Sequence, residues 1–134
     1  MRVMIDTNIF ISAALFPSGK ASAALKRALL PPFQALTSDY VIDELRRKFR
    51  EKFPDKTTEL DAFLYSALPF IQIVETPEAA ADSEVLIRDV KDRPILRAAL
   101  SSNAELFLTG DKDFLEAAVE EPRIISVTDF LAIK

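Results

Sequence analysis

The sequence of 134 residues contains no cysteine and no histidine. The absence of cysteine excludes disulfide bonds, thiolate nucleophiles and cysteine-ligated zinc or iron–sulfur clusters. The absence of histidine removes the usual general base near neutral pH and the commonest protein ligand of transition metals. Any catalysis must therefore depend on carboxylates, lysine, tyrosine, hydroxyl groups or a hard metal ion such as Mg²⁺, Mn²⁺ or Ca²⁺.

Glycine is almost as scarce, because Gly19 and Gly110 are the only two in the chain. Their number and spacing exclude both a G-x-G-x-x-G dinucleotide motif and a Walker phosphate-binding loop. Long apolar runs are missing too, and none approaches the ~20 residues that a membrane-spanning helix needs. Asp6 interrupts the first apolar run before it could form the core of a secretory signal. We therefore expect a cytoplasmic protein without a membrane-spanning segment.

The overall composition is typical of one folded globular domain. Hydrophobic residues make up 49% of the chain, which suits one domain with one core, so we place no boundary within residues 1–134. The net charge is −4, from 17 basic and 21 acidic residues. This balance argues mildly against tight, nonspecific binding of nucleic acid by the whole surface.

Short apolar runs alternate along the chain with longer helical patterns. The predicted strands are residues 3–5, 33–37, 70–74, 106–109 and 124–127. The predicted helices are residues 8–16, 20–30, 39–52, 57–68, 92–100 and 112–119, with a last turn over 128–133. The helix over 8–16 is apolar all round, which predicts burial on every side. Residues 75–84 are acidic and predict a loop. The alternation predicts an α/β fold with a parallel sheet and helices on both faces.

Two predicted strands end in an acidic turn. Asp6 follows the first strand, and Asp111 follows the fourth within the sequence T-G-D-K-D. Ligands of open α/β sheets bind at the carboxyl ends of strands, and neighbouring strands lie about 5 Å apart. If these two strands are neighbours, both carboxylates point into one crevice. The alternative is that Asp6, Asp111 or Asp113 merely caps the helix that follows it.

Two further carboxylates occupy helices. Glu44 lies at the edge of the apolar face of the helix over 39–52, and Asp92 begins the helix over 92–100. Taken singly, Glu44 is explained as a surface residue whose aliphatic part packs against the apolar face, and Asp92 is explained as a helix cap. Asp89 is a weaker candidate nearby. Taken as a set, carboxylates that share a crevice repel one another unless they bind a cation or a proton. With neither histidine nor cysteine available, this set favours a Mg²⁺ or Mn²⁺ site.

Four stretches together resemble the PIN-domain family: V-M-I-D-T-N-I-F, S-D-Y-V-I-D-E-L, D-V-K-D-R-P-I-L and L-F-L-T-G-D-K-D-F. The resemblance implies a three-layer α/β/α sandwich around a five-stranded parallel sheet of order 3-2-1-4-5. It also implies an endoribonuclease that depends on Mg²⁺ or Mn²⁺ and hydrolyses RNA. The residues that match the family's catalytic, metal-binding acids are Asp6, Glu44, Asp92 and Asp111, with Asp113 as a possible fifth ligand and Asn8 and Thr109 as supporting groups.

Many short prokaryotic members of this family are toxins of toxin–antitoxin pairs. They are held as homodimers and inhibited by a small antitoxin protein. The resemblance therefore implies three partners for this chain: an RNA substrate, a second copy and an antitoxin.

Two other functions stay open on the sequence. A haloacid-dehalogenase-like phosphatase would use Asp6 as a covalent nucleophile, but it usually has an aspartate two residues later, where this chain has Asn8. That reading also leaves Glu44 without a role. A non-catalytic RNA- or protein-binding module would use residues 46–52, which carry five basic side chains beside Glu44. The same stretch is equally well explained as a solvated helix face.

Overall fold

Five short parallel strands form the centre of the structure, a computed structural model that describes residues 1–134. The strands are β1 (Arg2–Ile5), β2 (Gln34–Ser38), β3 (Ile71–Val74), β4 (Leu106–Leu108) and β5 (Arg123–Ile125). Their order is β3-β2-β1-β4-β5, and every neighbouring pair is parallel. The predicted fold class and strand order are confirmed.

Seven helices connect and cover the strands. They are α1 (Thr7–Leu15), α2 (Lys20–Ala28), α3 (Asp39–Lys52), α4 (Thr57–Ala67), α5 (Arg93–Ser101), α6 (Lys112–Leu115) and α7 (Val127–Leu131). Short 3₁₀ turns occupy Pro54–Lys56, Leu68–Phe70, Asp82–Leu86 and Val90–Asp92. None of the helices is both long enough and apolar enough to cross a membrane.

The central strand β1 is buried on both faces, as its sequence requires. Val3, Met4 and Ile5 are each 0% exposed and belong to a hydrophobic core of 30 residues. A strand with helices above and below it has no polar face, so a continuous apolar run is the pattern that fits there. The first polar side chain after this run, Asp6, is consequently placed at the carboxyl edge of the sheet.

Helix α1 differs from its predicted burial on every side. Ile9, Phe10 and Ala13 are buried, but Ile11 is only partly buried and Phe16, which ends the helix, is 65% exposed. The reason is that α1 packs against α2, α3 and α4, and these contacts leave one side open. An exposed apolar side remains available for another surface.

Two elements near the carboxyl terminus, α6 and β5, end earlier in the structure than the sequence predicts. Helix α6 ends at Leu115 rather than at residue 119. Phe114 is its only buried residue, so a longer helix would gain no buried apolar face to stabilise it. Strand β5 ends at Ile125, because the Ser126 side chain accepts a hydrogen bond from the Asp129 backbone N–H at 3.1 Å and so begins α7. The sequence pattern had placed that cap at Thr128.

Candidate functional site

Asp6 lies at the carboxyl end of the central strand and is only 4% exposed. Its backbone N–H donates to the Leu108 carbonyl at 3.0 Å, which ties it to the end of β4. Its Oδ1 accepts from the Thr7 backbone N–H at 2.8 Å, and its Oδ2 accepts from the Thr109 hydroxyl at 2.6 Å. Asp6 therefore caps α1, as the structural alternative proposed, and also faces the neighbouring strand.

The side chain of Thr109 connects two of the candidate acids. It is fully buried directly after β4, and its hydroxyl donates to Asp6 while its Oγ1 accepts from the Asp111 backbone N–H at 3.0 Å. The adjacent Gly110 donates its N–H to Asn8 Oδ1 at 3.4 Å. These bonds hold the ends of β1 and β4, and the turn that carries Asp111, in one fixed arrangement.

Three aspartates converge beside this bridge. One carboxylate oxygen each from Asp92, Asp111 and Asp113 can be chosen so that all three lie within 4.8 Å of one another. Asp111 also caps α6, because its Oδ1 accepts from the Asp113 backbone N–H at 2.9 Å. Asp92 precedes α5 yet makes no capping hydrogen bond with its side chain. Helix capping therefore does not explain Asp92.

Glu44 is buried rather than exposed, with 6% of its surface accessible. Its Oε2 lies 3.9 Å from Arg47 Nη2 on the same helix, too far for a hydrogen bond. Glu44 and Asp6 do not join the three-aspartate group at its 4.8 Å spacing. Both nevertheless lie near enough for their charges to help raise the pKa of Asp92, a member of that group.

Burial is the main reason that the pKa values of two of these groups, Asp6 and Asp92, are raised. It raises the pKa of Asp6 to about 6, against the opposing hydrogen bonds from Thr109 and Thr7 and with a contribution from the charges of Glu44 and Asp111. Burial also raises the pKa of Asp92 to about 7, helped by the charges of four acids: Asp6, Asp89, Asp111 and Glu44. Asp6, Glu44, Asp92 and Asp111 thus lie close enough together for neighbouring charges to disfavour the ionisation of Asp6 and Asp92, and we call this region the acidic crevice.

Two further charged residues, Asp89 and Arg88, lie beside these acids. Asp89, the weaker candidate of the sequence, accepts from the Lys91 backbone N–H at 3.0 Å and so shapes the turn before α5. Arg88 lies 3.5 Å from Asp113 and 3.7 Å from Glu116. Nothing in the sequence pattern indicated Arg88, since it stands in a segment without helical or strand periodicity.

The donor set fits a hard divalent cation. Every candidate ligand atom is a carboxylate oxygen, the ligand type that Mg²⁺ and Mn²⁺ prefer. The raised pKa values of Asp6 and Asp92 mean that the folded crevice disfavours negative charge. A bound cation opposes that penalty, because its positive charge stabilises the ionised carboxylates.

A family model described as the PIN domain matches residues 2–113, a span that includes all five candidate acids. The chain belongs to the PIN-domain family. Comparison with the sequences of curated proteins gives no match.

Three solved structures with a similar fold match most of this chain. VapBC2 from Rickettsia felis, bound to a DNA fragment from the promoter, gives a TM-score of 0.70 at 18% identity, over 94% of this chain and 98% of that one. FitAcB from Neisseria gonorrhoeae gives 0.68 at 23% identity, over 94% and 98%. A toxin–antitoxin complex from Klebsiella pneumoniae gives 0.61 at 24% identity, over 93% and 97%. At these identities the similarity establishes the fold.

Proposed function

We propose that this PIN-domain chain is a Mg²⁺- or Mn²⁺-dependent endoribonuclease. The observation that supports the proposal is the clustering of carboxylate oxygens of Asp92, Asp111 and Asp113 within 4.8 Å of one another, with Asp6 and Glu44 near enough for their charges to raise the pKa of Asp92. A divalent ion held there would supply an activated water and neutralise charge on the phosphate undergoing hydrolysis.

The protein's own residues would divide the remaining work. Asp92, Asp111 and Asp113 provide the closest set of oxygens, and Asp6 and Glu44 complete the negative wall of the crevice. Thr109 holds Asp6 and Asp111 in register through its two hydrogen bonds. The basic residues of 46–52 begin one turn or less beyond Glu44 on α3, where they can hold the phosphate backbone of RNA beside the acids.

No observation favours the phosphatase alternative. The position where that class usually has an acidic side chain is Asn8, whose amide oxygen accepts from Gly110 N–H. That class also gives no role to the buried Glu44.

We further propose that the protein is the toxin of a toxin–antitoxin pair and forms a homodimer. One of the similar structures is a toxin–antitoxin complex. Four large apolar or aromatic side chains, Phe16, Leu30, Tyr65 and Phe70, are 61–86% exposed, which supports a covering partner. Light scattering at tens of micromolar, a concentration above typical interface dissociation constants of ~1 μM or less, should give the dimer mass; a monomer alone would contradict it. The cytoplasmic location expected from the sequence stays a prediction.

Cleavage of a fluorescent single-stranded RNA with Mn²⁺ tests the catalytic proposal. Asp6→Asn and Asp92→Asn should abolish cleavage while keeping the fold, because each removes a ligand and no core volume. Asp55→Asn is the matched control, since Asp55 is exposed and its side chain forms no ion pair or hydrogen bond. Wild-type cleavage in EDTA would contradict metal dependence, and RNA that is bound but left intact with Mn²⁺ would establish the binding module instead.

A further inference from the structure

The acidic crevice is built from two halves that are supported differently. In one half, Thr109 bonds both Asp6 and the turn of Asp111. The other half contains Glu44 on α3 and Asp92 in the turn before α5. The only side-chain hydrogen bond between α3 and that turn runs from the Tyr40 hydroxyl to the Lys91 carbonyl.

The turn itself is shaped by bonds that do not reach α3. Asp89 accepts from the backbone N–H groups of Lys91, through its side chain, and of Asp92, through its carbonyl, both at 3.0 Å. Arg93 Nε donates to the Ile87 carbonyl at 3.0 Å. These contacts lie within residues 87–93, so they fix the form of the turn and leave its distance from α3 to other groups.

Tyr40 occupies the position from which that distance can be set. It precedes Glu44 by four residues, so both side chains lie on the same side of α3. Its hydroxyl bonds to the residue immediately before Asp92. Burial, together with the charges of Glu44 and Asp92, raises the pKa of Tyr40, so the hydroxyl stays protonated and remains a donor.

We propose that Tyr40 is a positioning residue, which fixes the separation of Glu44 and Asp92 through the Lys91 carbonyl and so sets the affinity of the crevice for a divalent cation. This inference rests on the metal site of the proposed function. It does not depend on RNA being the substrate.

The test is Tyr40→Phe, which removes the hydroxyl and keeps the ring. Tyr65→Phe is the matched control, because Tyr65 is the only other tyrosine and is 86% exposed. Mn²⁺ binding is measured by the electron paramagnetic resonance of the free ion, with amide hydrogen exchange of the metal-free proteins alongside. Tyr40→Phe should weaken Mn²⁺ binding by about 10-fold or more, as loss of a group that orients a ligand does. It should also speed exchange at Lys91–Arg93, and Tyr65→Phe should do neither.

Each of the other possible results contradicts a specific step of this proposal. Tyr40→Phe with wild-type Mn²⁺ affinity overturns the role of Tyr40, even if its melting temperature falls, because a purely structural residue changes stability alone. Weaker Mn²⁺ binding without faster exchange at Lys91–Arg93 overturns the route through the turn. A wild-type protein that does not bind Mn²⁺ overturns the metal site and this inference with it. Intact RNA combined with the expected Mn²⁺ results rejects only the substrate.

Discussion

At the scale of single residues, capping a helix and facing a metal site are compatible roles. Asp6 and Asp111 each use one oxygen to cap a helix and still face the shared crevice. The position of both after a strand could be predicted from the apolar runs before them. The burial of Glu44 and the missing cap bond of Asp92 could not, because they depend on what packs against each side chain from elsewhere in the chain.

Replacing Asp92, before α5, and replacing Asp39, at the start of α3, should change the unfolding free energy in opposite directions. Asp92→Asn should raise the unfolding free energy of the metal-free protein at pH 8 by about 1–2 kcal/mol, a figure reduced for its partial exposure, because it removes a carboxylate that the crevice disfavours. Asp39→Asn should lower it, because hydrogen bonds from Thr76 and Tyr40 outweigh burial and hold the pKa of Asp39 below its usual range. Urea unfolding in EDTA measures both.

The same sign in both variants would contradict this account. Stabilisation by Asp92→Asn that persists unchanged at pH 4.5, where the wild-type carboxyl is already protonated, would also contradict it.

At the scale of elements, patterns within one segment were predictable and partnerships between segments were not. Helix α3 has its predicted bounds, with Ser38 accepting from the Val41 backbone N–H at 3.1 Å to begin it. The sequence predicts that residues 75–84 form an acidic loop, yet Glu84 is buried. Its two carboxylate oxygens accept hydrogen bonds from Arg97 Nη2 at 2.9 Å and Arg97 Nε at 3.0 Å. Neither residue indicates the other, because they are 13 positions apart and belong to different elements.

The ion pair of Glu84 and Arg97 should therefore stabilise the segment before α5. Arg97 also donates to the Pro77 carbonyl at 3.1 Å, so it fastens two points of that segment. Arg97→Met should lower the melting temperature by several degrees and expose residues 75–86 to protease, because it leaves a buried carboxylate without its partner. Limited proteolysis and thermal melts measure these effects.

Arg46→Met is the control for that experiment. Arg46 bonds Asp61 at 3.0 Å, a distance like that of the buried pair, but its side chain is 43% exposed and that of Asp61 is 68% exposed. Pairs of this kind contribute little, typically about 0–1 kcal/mol. Equal losses from the two substitutions would show that burial of Glu84 is unimportant.

At the scale of the whole molecule, strand order is what brings the acids together. The order β3-β2-β1-β4-β5 makes β1 and β4 neighbours, so Asp6 and the turn of Asp111 meet although the two aspartates are 105 positions apart in the sequence. Alternating strands and helices predict a parallel sheet but not which strands are adjacent. From the sequence, only the resemblance of four motifs to the PIN-domain family predicts that order.

The shared crevice should give the metal-free protein an unusual dependence of stability on pH. The pKa values of Asp6 and Asp92, about 6 and about 7, lie above the 3.8 of a free aspartate. Between about pH 4 and pH 7 the folded protein therefore binds more protons than the unfolded chain, and its unfolding free energy falls as the pH rises. The loss from pH 5.5 to pH 8 should be about 1–3 kcal/mol, allowing for the partial exposure of Asp92.

Thermal melts in EDTA and in Mn²⁺ at these two pH values test that expectation. Mn²⁺ should restore the stability lost at pH 8, because a ligand that binds only the folded state stabilises it by mass action. The double variant Asp6→Asn, Asp92→Asn should show a flatter pH dependence and little response to Mn²⁺. Glu84 and Asp39 do not obscure the result, since their pKa values are lowered and their contribution changes only at more acidic pH. Wild-type protein that is equally stable at both pH values in EDTA, or insensitive to Mn²⁺ at pH 8, would mean that the acids do not act as one cluster.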